Sequence, residues 1–284
     1  MAVRNPNSTD YVHPDEPNLV NLHKAMAYNT AGEPIVRTTP SASWGINISQ
    51  GLIDGASFVH KFGATPEMSN NSSGSIWDIN DTYYPWGAWV TAGPLTINTT
   101  AANGQASTAD DGIIVEIQGL DENYELVSEQ ITISGSTGTG TQTFKRVFRA
   151  FITDGTLGEQ NDTNINIVRG TTVVARITLG KGQTLMAVYT VPAGYTAYIT
   201  QGTATCQYGA DATGDMFVRY FGQVKFRVGH SFEFSGAGGQ YNYNFTFPIP
   251  VPEKSDIDIR ATVRSNNARL TAAWDMVLIE NPTV

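Results

Sequence analysis

The sequence is poor in cysteine and in long apolar runs, and both shortages exclude classes of protein. Cys206 is the one cysteine among 284 residues, so the chain cannot form an internal disulfide and is not a disulfide-stapled secreted scaffold. The first 14 residues contain no apolar signal-peptide core, and no apolar run reaches about 18 residues. We therefore expect no secretory signal, no membrane span, and assembly in the cytoplasm.

Positive charge is scarce as well. The chain has 17 Lys and Arg against 26 Asp and Glu, which gives a formal net charge of −9. An acidic chain repels phosphate backbones, so we expect no nucleic-acid partner. The negative charge is better suited to keeping an exposed protein surface soluble.

Motifs that carry catalysis, metals or cofactors are also missing. No GxSxG, Walker, GxGxxG or HExxH pattern occurs in its expected context. The four histidines share no metal-ligand spacing; they are His13, His23, His60 and His230. Asp110–Asp111 and Asp211–Asp215 do not match an EF-hand, and we interpret both as polar turns. We predict no catalytic, cofactor-binding or metal-binding residue and no enzymatic activity. A glycoside hydrolase stays open as the alternative, because its two carboxylates have no fixed spacing in sequence.

What the sequence does contain favours β structure. Thr occurs 33 times against 11 Leu and 6 Lys, alongside 28 Gly, 13 Pro and 12 Tyr. Branched and aromatic residues are enriched in strands, whereas straight-chain residues fill helices. We predict an all-β protein with two antiparallel β-sandwich or jelly-roll-like domains and an extended N-terminal arm.

The predicted arm covers residues 1–43. It holds five of the 13 prolines and little strand pattern. Leu19, Leu22 and Met26 have helical i, i+3, i+7 spacing, which predicts one short amphipathic helix with Asn18 as its N-cap. This apolar face either packs on its own domain or reaches over a neighbouring subunit, so the three residues are candidates for contact with a partner.

The first predicted sandwich domain covers residues 44–181. Its strand pattern begins at Trp44 and continues through Ile46–Ile48. Residues 75–89 hold five large aromatic side chains, which indicates either a core corner or a sugar-stacking platform. Alternation on both sides of a turn-rich centre predicts a hairpin of residues 113–118 and 125–133.

The second predicted domain covers residues 182–284. Leu185–Val191 and Tyr195–Thr200 flank the turn Pro192–Gly194, and we predict that they pair as a hairpin inside a sandwich. Residues 241–247 alternate aromatic and polar side chains, which predicts a strand with one aromatic face. The proline-rich residues 248–252 mark an edge strand or a crossover.

Several runs of this sequence resemble a known family. They are VEIQGLDENYELVSEQITISG, FKRVFRAFI, GQTLMAVYTVPAGYTAYIT, FPIPVPEKSDIDIRA and WDMVLIEN. From about residue 50 to residue 284, the chain resembles structural proteins of tailed bacteriophages, familiar from phages of aquatic bacteria. The shared motifs are strand and turn signatures, such as the GLDxNY and TVPAG turns, so the resemblance carries no catalytic residue across. Residues 1–43 lie outside it.

The resemblance implies a virion component. It implies an external capsid decoration or cement protein that stabilises the head by bridging capsomers, with the major capsid protein as its partner. Because closed symmetric assembly covers unpaired sheet edges, and a trimer matches local three-fold positions of a shell, we also predict a homotrimer. The protein would be assembled in the bacterial host cytoplasm and lie on the outer capsid surface, with Leu19, Leu22 and Met26 as capsid-contact candidates. The acidic charge suits an outer surface. The alternatives are a neck, tail or head-fibre subunit, or a glycan- or receptor-binding module on the virion; the lack of long repeats disfavours a fibre.

Overall fold

The computed structural model describes residues 3–4, 11–12, 41–154, 160–207, 209–235 and 239–282. Within these ranges the chain forms eighteen strands, one α-helix and one 3₁₀ helix. Every strand pair among them is antiparallel. The prediction of an all-β, antiparallel protein is confirmed.

The elements follow in chain order. The strands are β1 Val3–Arg4, β2 Tyr11–Val12, β3 Ala56–Met68, β4 Ser73–Ser75, β5 Thr96–Thr100, β6 Ile114–Leu120, β7 Leu126–Thr132, β8 Thr137–Thr139, β9 Arg146–Asp154, β10 Asn164–Arg169, β11 Thr172–Ile177, β12 Val188–Thr190, β13 Tyr195–Cys206, β14 Asp211–Arg219, β15 Arg227–Phe234, β16 Gly239–Val251, β17 Asp256–Ser265 and β18 Ala268–Glu280. The α-helix, α1, is Ser41–Ser49, and the 3₁₀ helix is Trp86–Trp89.

The chain divides into two compact units, Met1–Ile53 and Asp54–Val284. In the first unit, β1 pairs with β2, with Val3 opposite Val12. The predicted helix over residues 19–26 lies outside the described residues.

Helix α1 corrects one prediction. Its residues include Trp44 and Ile46–Ile48, for which the sequence predicted a strand, and that prediction is wrong. Three alternating residues are too few to separate a strand from a helix. The Ser49 hydroxyl also bonds within the helix, donating to the carbonyl of Gly45 at 2.9 Å.

The described residues of the second unit form four sheets. Sheet I has the strand order β16-β13-β18-β3, and sheet II has the order β12-β17-β14-β15, with β4 also pairing with β17. Sheet III has the order β11-β10-β5-β8, and sheet IV has the order β7-β6-β9. Neighbours in sheets I and II are mostly distant in sequence, so long-range pairing organises this unit.

Two hydrophobic cores fill the second unit. Core 1 is built mainly by side chains of sheets I and II, among them Ile199, Met216 and Trp274. Core 2 is built mainly by sheets III and IV, among them Ile117 and Ile165. All five side chains are buried, so both cores exclude water.

The chain crosses between the cores at two adjoining segments. Ile76 lies in core 1 and the next residue, Trp77, lies in core 2; Ala187 and Val188 divide in the same way. Successive side chains of an extended segment point to opposite faces, so these segments form a wall that both cores share. The amide of Ala187 donates to the carbonyl of Ile76 at 2.9 Å and holds the two segments together.

The cores group the chain differently from the predicted domains 44–181 and 182–284. Strand β3 falls within the first predicted domain, yet it pairs with β18, which falls within the second. Met68, the last residue of β3, lies in core 1. This pairing joins Ala56 to Ile279, across nearly the whole unit. No local sequence pattern encodes such a contact, so periodicity could not assign β3 to its core.

The predicted hairpin of Leu185–Val191 with Tyr195–Thr200 is wrong. Strand β12 pairs with β17 in sheet II, whereas β13 pairs with β16 and β18 in sheet I. The turn between them exists, and Gly194 adopts the positive φ of 78° that the turn requires. It carries the chain from one sheet to the other, because both strands find longer partners elsewhere.

The predicted hairpin of residues 113–118 and 125–133 is confirmed as β6 and β7. Its turn is held by Asp121, whose Oδ1 accepts the amides of Asn123 at 2.8 Å and Glu125 at 2.9 Å. Tyr124 takes a φ of 66° in this turn. The side chain of Asp121 thereby replaces ladder hydrogen bonds at the point where the strands separate.

Candidate functional site

The arm residues predicted to contact a capsid lie outside the described structure. Leu19, Leu22 and Met26 fall between residues 12 and 41, so their role stays a prediction. The surfaces and clusters of the second unit supply the remaining candidates.

The aromatic segment 75–89 lies mainly in core 2, as the core interpretation predicted. Trp77, Tyr84 and Trp89 are each 2 % exposed. The hydroxyl of Tyr84 accepts the indole N–H of Trp89 at 3.1 Å and donates to the carbonyl of Val147 at 3.1 Å. Burial raises the pKa of Tyr84. Tyr83 is 53 % exposed, so one of the five rings is open to a ligand and three are not.

A buried charge cluster connects sheet IV to sheet II. We name it the charge cluster; its members are Arg146, Arg219, Asp256, Asp258 and Arg260. Asp256 is 3 % exposed and binds Arg146 of β9 through two bonds, Nε to Oδ1 at 2.9 Å and Nη2 to Oδ2 at 3.1 Å. Arg219 of β14 donates its Nε to Oδ2 at 3.0 Å. Paired charges of this kind fix the register between elements that apolar contacts alone would leave free to slide.

The second carboxylate of the cluster is only partly satisfied. Oδ2 of Asp258 accepts the Nε of Arg260 at 2.8 Å and the indole N–H of Trp86 at 2.9 Å. Oδ1 of Asp258 is buried and has no hydrogen-bond partner among the described residues. The guanidiniums of Arg146 and Arg219 lie 5.6 Å and 5.4 Å from the Trp86 ring. An aromatic ring therefore lies against both cations.

Sequence reasoning missed the charge cluster. Charged and apolar residues alternate along β17, with Asp256, Asp258 and Arg260 on one face and Ile257 and Ile259 on the other. Taken alone, this pattern indicates a strand whose charged face is exposed to solvent. In the structure both faces of residues 256–259 are buried, and Arg260 is partly buried. The charges could have been recognised only from their partners on other strands.

The described residues show no metal-ligand cluster. No three His, Cys, Asp or Glu side chains there are arranged to hold a metal ion. Asp110 is buried and accepts the amide of Thr163 at 3.0 Å. Asp211 and Asp215 lie in strand β14, so their interpretation as a turn is wrong. His60 Nδ1 lies 2.5 Å from Asp275 Oδ1 on a neighbouring strand.

The outer strand of sheet I carries a row of aromatic rings, of which two are exposed and two are partly buried. We name it the β16 surface; its rings are Tyr241, Tyr243, Phe245 and Phe247. Tyr241 and Tyr243 stack with centroids 6.4 Å apart and planes 8° apart. Phe245 meets Tyr243 edge-on at 4.8 Å. Tyr243 is 48 % exposed and Phe247 is 87 % exposed, so the row offers apolar area to a partner.

The rings of the β16 surface are supported from below. Trp274 of β18 stacks on Phe245 at 6.2 Å, and Phe232 of β15 stacks on Tyr241 at 5.0 Å. Trp274 lies directly over Gly202, where an added Cβ would come within 2.3 Å of the indole ring. Only glycine lets the indole approach the sheet this closely. Gly202 of β13 therefore determines how far from the sheet Trp274, and the Phe245 ring stacked on it, can lie. The row is therefore held in place by packing.

The β16 surface differs from the rest of the protein in charge. Residues 239–251 contain no charged side chain, although the chain carries a net charge of −9. Strand β16 pairs with β13 on one side and ends the strand order of sheet I within the described residues. Pro248 and Pro250 lie in it, as expected for the predicted edge strand. An uncharged, aromatic sheet edge is a surface suited to contact with another protein.

Comparisons with known proteins do not assign this chain to a family. No family model matches it, and no curated protein matches it. Among solved structures, the chain is similar to the cowpea mosaic virus top component, naturally occurring empty particles, at 11 % identity and a TM-score of 0.22, covering 68 % of this chain and 90 % of that one. It is similar to a structure of infectious bursal disease virus Gx strain at 10 % identity and a TM-score of 0.22, covering 81 % and 77 %. A third similarity is to the infectious bursal disease virus VP2 subviral particle, at 10 % identity and a TM-score of 0.21, covering 80 % and 73 %.

These TM-scores are too low to carry an argument about fold or function. Separately, no helix in the described ranges is long and apolar enough to cross a membrane. The functional assignment therefore depends on the sequence and on the surfaces described above.

Proposed function

We propose that the protein is a structural component of a tailed-bacteriophage virion, an external capsid decoration protein that stabilises the head by bridging capsomers. The sequence resemblance over residues 50–284 supports the family. The observation that carries the proposal is the β16 surface, an uncharged aromatic sheet edge on an acidic protein. Such an edge is a hazard for a lone chain and is useful in a closed, symmetric assembly.

A second copy of the chain is the partner that best fits the β16 surface. Two copies with a net charge of −9 repel each other over most of their surfaces. Contact through residues 239–251 brings no like charges together, and it buries Tyr243 and Phe247. We assign this contact to a homotrimer, whose symmetry matches local three-fold positions on a capsid. The predicted arm would then reach the major capsid protein, and each additional arm would strengthen attachment through multivalency.

The oligomer has a direct test. The purified full-length protein is expected to elute as a trimer by size-exclusion chromatography with light scattering, and the double variant Tyr243→Ser/Phe247→Ser is expected to elute as a monomer. Val90→Ser is the matched control, since Val90 is 79 % exposed and lies outside β16. A monomeric wild type, or a double variant that keeps its oligomeric state, would remove the β16 surface from the proposal.

The head assignment has a separate test. Deleting residues 1–43 is expected to leave a folded protein that no longer stays on the head, so that particles lose infectivity sooner under heat or osmotic shock. Replacing Leu19, Leu22 and Met26 by Ser is the milder version, and each buried apolar group would cost roughly 1.5–3 kcal/mol of binding. Unchanged retention of the truncated protein on particles would exclude the arm as the attachment.

The exposed rings also favour a second function, a glycan- or receptor-binding module. Stacked aromatic rings such as Tyr241 and Tyr243 bind sugar faces as well as protein. This alternative predicts that the soluble protein coats host cells and blocks infection. If the purified protein instead released oligosaccharide from host polysaccharide, it would be a hydrolase, and nearby Asp and Glu variants would locate the acid.

A further inference from the structure

A cavity of about 440 Å³ lies between the sheets of the second unit, away from the β16 surface. Strands β3, β9 and β18 contribute to its wall, together with the segment 183–184. Its volume falls in the range that holds small organic ligands. The residues that decide its chemistry are Phe58, Lys61, Leu126, Phe148, Arg149 and Tyr189.

The lining is basic in a protein that is acidic. Among its fourteen residues, all within the described ranges, three are basic, namely His60, Lys61 and Arg149, and none is Asp or Glu. The whole chain has nine more acidic than basic residues. The cavity is open on one side, and Arg149 is exposed there whereas Lys61 is buried. A positive lining in a cleft of a negative protein attracts an anion, because the low-dielectric walls focus the field of the two cations.

Lys61 is an unusual residue for such a wall. Lys61 is only 9 % exposed, and its Nζ donates a hydrogen bond to the carbonyl of Phe148. Burial and the nearby Arg149 lower the pKa of Lys61 to about 7, while Asp78 acts in the opposite direction. His60, on the same strand, is paired with Asp275. A bound anion would offset the repulsion between Lys61 and Arg149 and favour the protonated amine.

Apolar residues form most of the remaining lining, together with the neutral polar residues Ser57, Gln118, Gln183 and Thr184, and some of the apolar groups are exposed at the rim. Phe58 is 44 % exposed and Leu126 is 61 % exposed, whereas Tyr189 is buried and closes one wall. Large apolar side chains next to the basic groups of Lys61 and Arg149 suit a ligand that has one negatively charged end and one apolar end. A compact double anion such as phosphate would lose more hydration in this cavity than a monoanion would.

We propose that this cavity binds a small amphipathic carboxylate, with its carboxylate at Lys61 and Arg149 and its apolar body against Phe58, Leu126 and Tyr189. The site is independent of the proposed virion role, since it uses neither the β16 surface nor the arm. The two proposals can therefore fail separately. The protein could be a decoration protein that binds no ligand, or it could bind the ligand without being part of a capsid.

The test uses the full chain and the probe 4-phenylbutanoate in isothermal titration calorimetry at pH 6. We expect saturable binding of one probe per chain, and at least about tenfold weaker binding of 4-phenylbutanol and 4-phenylbutylamine, which lack the negative charge. Raising the pH from 6 to 8 should weaken 4-phenylbutanoate binding up to about tenfold, because a Lys with a pKa near 7 is then only about one-tenth protonated. No saturation by about 10 mM, or equal affinity for the alcohol, would overturn the proposal.

Variants locate the site. Lys61→Met and Arg149→Gln should each weaken binding about tenfold or more, and Lys61→Met should also remove the pH dependence. Lys225→Met, at an exposed position outside the cavity, is the matched control. Leu126→Ser changes an exposed rim residue, so it tests the apolar wall without disturbing the core, and it should weaken binding severalfold. Unchanged affinity in Lys61→Met, or inorganic phosphate binding as tightly as the carboxylate, would contradict the proposed chemistry.

Discussion

The charge cluster and the β16 surface reverse the usual positions of polar and apolar groups. In the charge cluster, Asp256 and Asp258 are almost completely buried, whereas Phe247 of the β16 surface is almost completely exposed. Buried charges cost free energy unless they are paired, and exposed rings invite association unless they are covered. The comparison indicates a division of labour, in which the charge cluster holds two cores in register and the β16 surface is available to a partner.

Removing one carboxylate from the charge cluster should have the largest effect. Asp256→Ala leaves Arg146 and Arg219 without their shared counter-charge, so the free energy of unfolding should fall by about 3–5 kcal/mol. Urea unfolding followed by tryptophan fluorescence measures the change. Glu122→Gln, at an exposed turn position, should change stability by less than about 0.5 kcal/mol. A loss below about 1 kcal/mol in Asp256→Ala would show that the cluster does not hold the cores together.

Lys61 extends the comparison to a buried charge without a direct carboxylate partner. Burial, followed by Arg149, lowers its pKa from 10.5 to about 7, so the unfolded chain binds more protons between these values and stability should rise with pH. From pH 7 to pH 9 the gain should be about 2–3 kcal/mol, and Lys61→Met should abolish it. Denaturant unfolding at several pH values measures the slope. A wild-type curve that is flat or falls over this window would contradict the account.

Asp78 supplies the matched variant for the pH experiment. Burial raises the pKa of Asp78 from 3.8 to about 7. Between these two values the folded chain binds more protons than the unfolded chain at this site, so stability falls as the pH rises toward 7. Asp78→Asn should therefore flatten the curve on the acidic side, whereas the rise above pH 7 should remain.

Disturbing the support of the β16 surface should have a smaller effect. Gly202→Ala places a Cβ within 2.3 Å of the Trp274 ring, and displacement of the indole should cost about 1–3 kcal/mol. Gly87→Ala is the control, since an added Cβ there meets nothing within 4 Å. Thermal unfolding compares the two variants. Equal melting temperatures for both would mean that the indole moves at no cost.

The surface itself should contribute least to folding. Phe247→Ser should change the free energy of unfolding by less than about 0.5 kcal/mol, because Phe247 is 87 % exposed. Tyr243→Ser should cost no more than about 1 kcal/mol, because its half-exposed ring also contacts Tyr241 and Phe245. Their effect should be seen in self-association instead, which separates a partner surface from a core. If either variant lowered the free energy of unfolding of the monomer by several kcal/mol, these rings would contribute mainly to folding and not to self-association.

Local patterns predicted the parts of this fold that local contacts determine. The β6–β7 hairpin follows from alternation around a turn that Asp121 stabilises, and the aromatic edge strand follows from alternation and prolines in residues 241–252. The strands on either side of Pro192–Gly194 were paired wrongly, because their partners, β17, β16 and β18, are distant in sequence. Alternation predicts which residues form a strand, whereas long-range packing decides what that strand pairs with.

The candidate sites show the same limit. Tyr241 to Phe247 were predicted as one aromatic face, because that feature lies within a single strand. The charge cluster draws its residues from two sheets and the basic cavity from three, so no spacing along the chain signals them. Only the folded arrangement brings Arg146 to Asp256 and Lys61 to Arg149.

Counting the copies of this protein in purified virions tests the central claim most directly. Quantitative mass spectrometry against the major capsid protein gives the copy number, and a decoration protein that occupies the three-fold positions of a head should be present in hundreds of copies. Absence from the particle would contradict a virion role. About a dozen to a few tens of copies would contradict the decoration assignment and indicate a neck, tail or fibre subunit instead.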